Sequence, residues 1–218
     1  LRRFPGKCEH WLIQEDGRVV DLFKNLTTIF ECTPEWFFEY FNTKAGDIQN
    51  DNEYNLMLKE YKESIKYPEF EYSNVYAIKE VVENVGSNSM IHMAINNDGC
   101  MSSFLGQACA RKDLCYLIIG DLAYFYDMNA MRIKHINKNV RILLINNEGG
   151  GEFYYNYTWI NKSSDLHTTA RHCTKAEGWV KENGFKYLCA HDKLSFDKAR
   201  KEFMDENSDQ PILLEVFT

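Results

Sequence analysis

Two segments carry residues whose types and spacing could do chemistry. In "LIIGD" an apolar run ends at Gly120-Asp121, and in "LLINNEGGG" another runs without a break into Asn146, Asn147, Glu148 and three glycines. A turn out of a strand needs one glycine, so three in a row ask for a further reason. Positions 123–145, 23 residues, separate "GDL" from "NN". That interval takes one crossover helix between parallel strands, which sets Asp121 and Asn147 side by side at one edge of a sheet. A hard cation such as Mg2+ prefers oxygen ligands, takes few of them from protein, and completes its shell with phosphate and water. One carboxylate, one amide oxygen and one glycine carbonyl suit it. Glycines also let backbone approach a diphosphate closely, and the helix after Gly120-Asp121 points its amides toward the same place. Either motif alone reads as a cap or a turn; at crossover spacing the pair points to a metal and an anion.

Positioning these residues requires a regular frame, and the pattern from Ser73 onward supplies one. "VYAIKEVVENV", "SSFLGQACA", "LAYFYDMNAMRIKHI", "TKAEGWVKENG" and "SFDKARKEFMDEN" read as helices, the last with Ser195 as its cap. "SMIHMAI", "DLCYLIIG", "VRILLI", "FKYLCA" and "PILLEVFT" read as strands. Strands alternating with helices imply an α/β fold, a mostly parallel sheet with helices on both faces. Ligands then bind beyond the carboxyl ends of the strands. Residues 1–46 read as elements of a separate domain that cannot bury a core by themselves. "HWLIQEDGRVVD" reads as a hairpin turning at Asp16-Gly17, "TTIFEC" as a strand, and "PEWFFEYF" as a helix capped by Thr33. Residues 47–72 turn polar and read as a linker ahead of the α/β domain over 73–218.

Composition sets aside several classes. The 218 residues carry a formal charge of −7 with scattered Lys and Arg, which argues against a nucleic-acid surface. No apolar run reaches the roughly 18–20 residues of a membrane helix, and no signal peptide opens the chain. It begins at Leu1, as a piece of something longer would. Seven cysteines, odd in number and without a C-x-x-C pair, read as reduced, buried thiols of a cytoplasmic protein. Sequons at Asn25, Asn156 and Asn161 are expected by chance in a chain rich in Asn. His167 and His172 in "HTTARH" are too awkwardly spaced for a metal pair and read as loop or cap residues; His92 reads as a core or edge histidine. The aromatic run around Trp36 and Phe37 reads as a packing face. No G-x-G-x-x-G or G-x-x-x-x-G-K-[ST] is present, which removes the main support for nicotinamide and nucleoside-triphosphate binding.

"GDL" followed by "NNEGGG" resembles the cofactor motif of the carboxyl-terminal (PP) domain of thiamine-diphosphate-dependent enzymes. Within them, "DGCMSSFLGQACA", "GDLAYFYDMNAM", "ILLINNEGGGEF" and "QPILLEVFT" are most similar to the 2-succinyl-5-enolpyruvyl-6-hydroxy-3-cyclohexene-1-carboxylate synthases of menaquinone synthesis. The resemblance covers 73–218 well and the first 46 residues more weakly. It implies Mg2+ ligation by Asp121, the Asn147 side chain and the Gly149 carbonyl. It implies a cofactor site made of Asn96, Asp98, Gly99, Gly120, Asp121, Leu122, Asn147, Gly149, Gly150 and Phe153, with Glu152 and Phe153 facing substrate. The implied activity is a transferase reaction: a 2-oxo acid, 2-oxoglutarate, is decarboxylated and the remainder joined to isochorismate. The implied partner is a pyrimidine-binding domain, from a second subunit of a homodimer, bearing the activating glutamate that this chain lacks.

Three features depart from that pattern. The chain alone, without the glutamate domain, is not expected to be a complete catalyst. "IHMAINN" runs directly into "DGCMSSF", where the family has a segment with substrate-gripping arginines between the positions of Asn97 and Asp98, either deleted here or a mobile loop missing from the sequence. Glu152 stands where those synthases have an apolar residue, which leaves room for a different 2-oxo acid, as in polysaccharide or secondary metabolism. A non-catalytic module that binds the cofactor without turnover is the remaining alternative.

Overall fold

The computed structural model describes residues 8–46, 52–94, 99–153 and 169–218. Its contacts divide the chain into two units, 1–67 and 68–218.

In the first unit, strands β1 (Trp11–Gln14) and β2 (Thr28–Glu31) pair in parallel, Trp11 opposite Thr28. The expected hairpin is therefore wrong. A tight turn does form, with Gly17 at φ 61°, but the chain beyond it does not return as a strand. Its backbone is taken up by side chains instead: Gln14 Nε2 donates to the Arg18 carbonyl, and Asp16 Oδ1 accepts the Arg18 amide. Helix α1 (Pro34–Ala45) starts as expected, with Thr33 accepting the Trp36 amide and Pro34 in the first turn. Phe37 is its buried anchor and meets the rings of Trp11 and Phe30. Trp36 stacks on Tyr40 along the exposed side of the same helix. Helix α2 (Glu53–Ser64) buries none of its residues.

The second unit is α/β. Five strands, β3 (Met90–Met93), β4 (Cys115–Gly120), β5 (Val140–Asn146), β6 (Lys186–Ala190) and β7 (Ile212–Phe217), form one sheet in the order β3-β4-β5-β7-β6, every pair parallel. Alternate residues of the central strands feed two cores. Leu117, Ile119, Ile142 and Leu144 face helices α4 (Cys100–Cys109), α5 (Asp121–Asp127) and α6 (Glu177–Glu182). Tyr116, Ile118, Leu143 and Ile145 face α3 (Asn74–Val82) and α7 (Lys193–Phe203). Burial on both sides is why these strands read as unbroken apolar runs.

Three local expectations change. The helix after Gly120 is short: α5 ends at Asp127 and continues as a 3-10 turn over Met128–Arg132. The carbonyl of Met128 is taken by the indole Nε1 of Trp179 at 2.8 Å, and the Asp127 carboxylate holds the Ser102 amide and hydroxyl. The cap of α7 is Asp192, with Ser195 as its reciprocal partner in a capping box. The cysteines are unpaired but mostly not buried: Cys115 alone is, while Cys8, Cys173 and Cys189 are exposed.

Two charges lie wholly inside the sheet. Arg141 on β5 donates to the carbonyls of Phe203, Asp205 and Lys138, so a fixed cation closes the carboxyl end of α7. Glu215 on β7 accepts from the Asn146 amide, the Ala176 backbone and the Tyr187 hydroxyl. Arg141→Met keeps the bulk but removes the donors to the Phe203, Asp205, Lys138 and Val140 carbonyls, so unfolding in urea should show a loss of roughly 3 kcal/mol or more.

Candidate active site

Register decides the site. Gly120 pairs with Ile145 across β4 and β5, so Asp121 and Asn147 leave the sheet together at its carboxyl edge. They line a cleft of about 310 Å³ together with Gly120, Leu122, the three glycines 149–151, Glu152 and Phe153. Ala94, just past β3, and Asn74 and Ile78 of α3 complete the wall. Gly99 caps α4 and lines a neighbouring cleft with His92, Met93 and Ala94. Asn96 and Asp98 fall outside the described residues, as does His167.

Asp121 is 2% exposed. Its Oδ1 accepts the Leu122 amide at 2.7 Å and its Oδ2 the Gly149 amide at 2.9 Å. Burial pushes the carboxyl's pKa up, and the amides of Gly149 and Leu122 and the His172 ring oppose that shift. Asn146 is a support and not a liner. Its side-chain nitrogen donates to Glu215 and to the Thr174 carbonyl, and its oxygen accepts the Glu148 amide.

The three glycines have three separate reasons. A Cβ on Gly149 would stand 2.7 Å from the Thr169 carbonyl oxygen, on a backbone held at φ 148°. On Gly150 it would meet the Phe153 ring at 2.8 Å, and on Gly151 the Asn147 side-chain nitrogen at 2.6 Å. Gly149 is thus required by backbone, whereas a Cβ on either neighbour would displace a side chain that lines the cleft.

Sequence reasoning missed one residue here. His172, read as a loop or cap residue, places Nε2 3.3 Å from Asp121 Oδ2. The spacing of His167 and His172 tests only whether they pair with each other. The signal that finds His172 is the fold, which returns the chain under the glycine loop: Gly150 donates to the Thr169 carbonyl and His172 to that of Glu148. His92 sits on edge strand β3, half-buried, beside the Gln107 amide at 3.0 Å.

These residues fit a hard divalent cation bound with a diphosphate. The buried carboxylate has no Lys or Arg partner among the ion pairs of the described residues, and an amide and glycine backbone stand beside it. Among those residues no three His, Cys, Asp or Glu side chains gather into a metal site of their own, as suits an ion that takes few protein ligands. A larger cleft, about 910 Å³, opens at the amino ends of the strands around Arg111, Lys112, Asp113 and Glu206. Its charges are mixed and its Arg111–Asp113 pair is already made at 3.1 Å, so the smaller cleft is the better candidate.

No family model matches the chain. It is 35% identical over 248 aligned positions to the 2-succinyl-5-enolpyruvyl-6-hydroxy-3-cyclohexene-1-carboxylate synthase of Bacteroides fragilis, covering 100% of this chain and 44% of that protein. To the synthase of the same name from Bacteroides thetaiotaomicron it is 34% identical over 247 positions, again 100% of this chain and 44% of the relative. A 77-residue stretch, 35% of the chain and 12% of the relative, is 43% identical to the Staphylococcus haemolyticus synthase. The likeness to these Bacteroides synthases runs the whole length of this chain. It spans less than half the length of the Bacteroides relatives. The first alignment also runs to 248 positions against 218 residues, 30 more than this sequence supplies, so the relative carries segments without a counterpart here.

Substitution separates the glycine effects. Gly149→Ala should cost roughly 2 kcal/mol or more by urea unfolding, because its methyl meets backbone at a positive φ. Gly106→Ala, inside α4 with open space around it, should instead be neutral or stabilise by about 0.5–1 kcal/mol.

Proposed function

We propose that this chain holds the diphosphate and Mg2+ of thiamine diphosphate in a transferase that decarboxylates 2-oxoglutarate and joins the remaining fragment to isochorismate. The observation that carries the reading is the meeting of Asp121, Asn147 and the glycine loop in one cleft at the carboxyl ends of β4 and β5. Homology to the menaquinone-pathway synthases over the whole chain supports the substrate pair.

In this reading Asp121, the Asn147 side-chain oxygen and the Gly149 carbonyl ligate Mg2+. Gly120, Leu122 and Gly150, with Asn96, Asp98 and Gly99, face the diphosphate. Bound there, thiamine diphosphate would supply the carbon nucleophile and electron sink that decarboxylation of a 2-oxo acid needs. The chain's own residues bind and orient. Phe153 covers the reacting end of the cleft, and Glu152 beside it meets the incoming acid. Residues 73–218 form the cofactor-binding domain, 47–72 a linker and 1–46 the end of a middle domain. The activating glutamate comes from a pyrimidine-binding domain of a second subunit, which makes the working unit a homodimer of the cytoplasm. In this reading a segment that grips substrate carboxylates belongs between Asn97 and Asp98, either deleted here or missing from the sequence.

Calorimetric titration of thiamine diphosphate in the presence of Mg2+ should give saturable heat with the wild-type chain. Asp121→Ala and Asn147→Ala should weaken it at least tenfold, since each removes a ligand from a site with few. Heat unchanged by both substitutions would reject the metal site. In the complete protein, a panel of 2-oxo acids should show carbon dioxide release from 2-oxoglutarate above the others; indifference to 2-oxoglutarate would exclude the synthase reaction.

A further inference from the structure

We propose that His172 is a positioning residue for the cation site, holding the Asp121 carboxylate in its ligating orientation; this rests on the functional reading above. The Nδ1 atom of His172 accepts the Thr174 amide at 3.1 Å, so it bears no proton. The ring proton then sits on Nε2. That nitrogen is buried, has no hydrogen-bond partner among the described residues, and faces Asp121 Oδ2 at 3.3 Å. A small turn of either group completes a bond from Nε2–H to the carboxylate.

The ring is held in place from three sides. The His172 backbone amide donates to the Glu148 carbonyl at 3.1 Å, and the Phe125 ring meets the imidazole edge to face at 5.3 Å. Two further bonds tie its neighbours to the site: Gly150 donates to the Thr169 carbonyl at 2.7 Å, and Asn146 Nδ2 to the Thr174 carbonyl at 2.9 Å. His172 is therefore fixed to the glycine loop by backbone and aims Nε2 at the other side of the same site. Asp121 already receives an amide on each oxygen. The imidazole adds a donor from a third direction, which leaves the remaining lone pairs of the carboxylate turned toward the cleft. Such donors behind a ligating group are worth about 10- to 100-fold in metal affinity.

Two amide substitutions separate this role from a structural one. His172→Asn keeps an oxygen that can accept the Thr174 amide but reaches no further, whereas His172→Gln places an amide N–H near the position of Nε2. The readout is the Mg2+ concentration that half-saturates thiamine diphosphate binding to the full chain, followed by calorimetry, with cation-free urea unfolding beside it. The expected result is that Gln stays near wild type while Asn needs about tenfold more Mg2+ at an unchanged unfolding midpoint. Asn binding Mg2+ as wild type does, or Gln failing to rescue, overturns the proposal. So does a cation-free stability loss in Asn that matches its loss of affinity. A wild-type chain that binds no thiamine diphosphate with Mg2+ present refutes the functional reading itself, a different failure.

Discussion

Asp121 lies at the seam between two chain segments and bonds to both, Oδ1 to the amide that follows it and Oδ2 to the amide of Gly149. A buried carboxylate is costly unless its lone pairs are filled, and two backbone donors meet part of that need. The same bonds fix the glycine loop against the end of β4, so the cleft's floor and its acid are set by one side chain. The incomplete compensation, visible as a raised pKa, makes the place favourable for a cation. Structure and site chemistry are thus the same constraint seen twice.

Glu215 extends that constraint into the sheet. It sits two residues from the carboxyl end of β7, fully buried, and gathers the Asn146 amide, the start of α6 and the Tyr187 hydroxyl. Asn146 in turn holds the Glu148 amide and the Thr174 carbonyl, so the glycine loop is tied from below to a buried acid. Burial and the bond to Glu215 raise the Tyr187 hydroxyl's pKa far above the ordinary tyrosine value, which keeps it a donor. The pair "NN" therefore divides its labour: Asn146 anchors the loop and Asn147 faces the cleft.

The parallel sheet and the meeting of Asp121 with Asn147 were legible because both follow from local pattern. Unbroken apolar runs mark strands buried on two faces, and a single crossover interval places their ends together. What escaped the sequence depended on partners distant along the chain. The turn at Gly17 is real, yet β1 chose β2, because strand pairing is a tertiary decision that a turn signal only biases. Helix α5 stops early where Trp179 takes the Met128 carbonyl, a contact no local propensity contains. His172 was missed for the same reason: its chemistry lies in Asp121, not in the neighbouring histidine that invited comparison.

The glycines also determine where selectivity can be written. Backbone excludes a side chain at 149, while at 150 and 151 a Cβ would displace the Phe153 ring and the Asn147 amide respectively. Glu152 and Phe153 are then the first positions past the three glycines that carry a side chain, and both line the cleft. A site built this way has an invariant half, backbone and one carboxylate suited to a diphosphate common to many reactions, and a variable half confined to residues 152 and 153 and whatever covers them. An acid at 152 repels a substrate carboxylate at close range unless a cation intervenes, since two like charges a few ångströms apart interact strongly in a partly desolvated cleft. Under the proposed synthase reaction, a substrate carboxylate brought beside Glu152 would therefore need positive charge close to it.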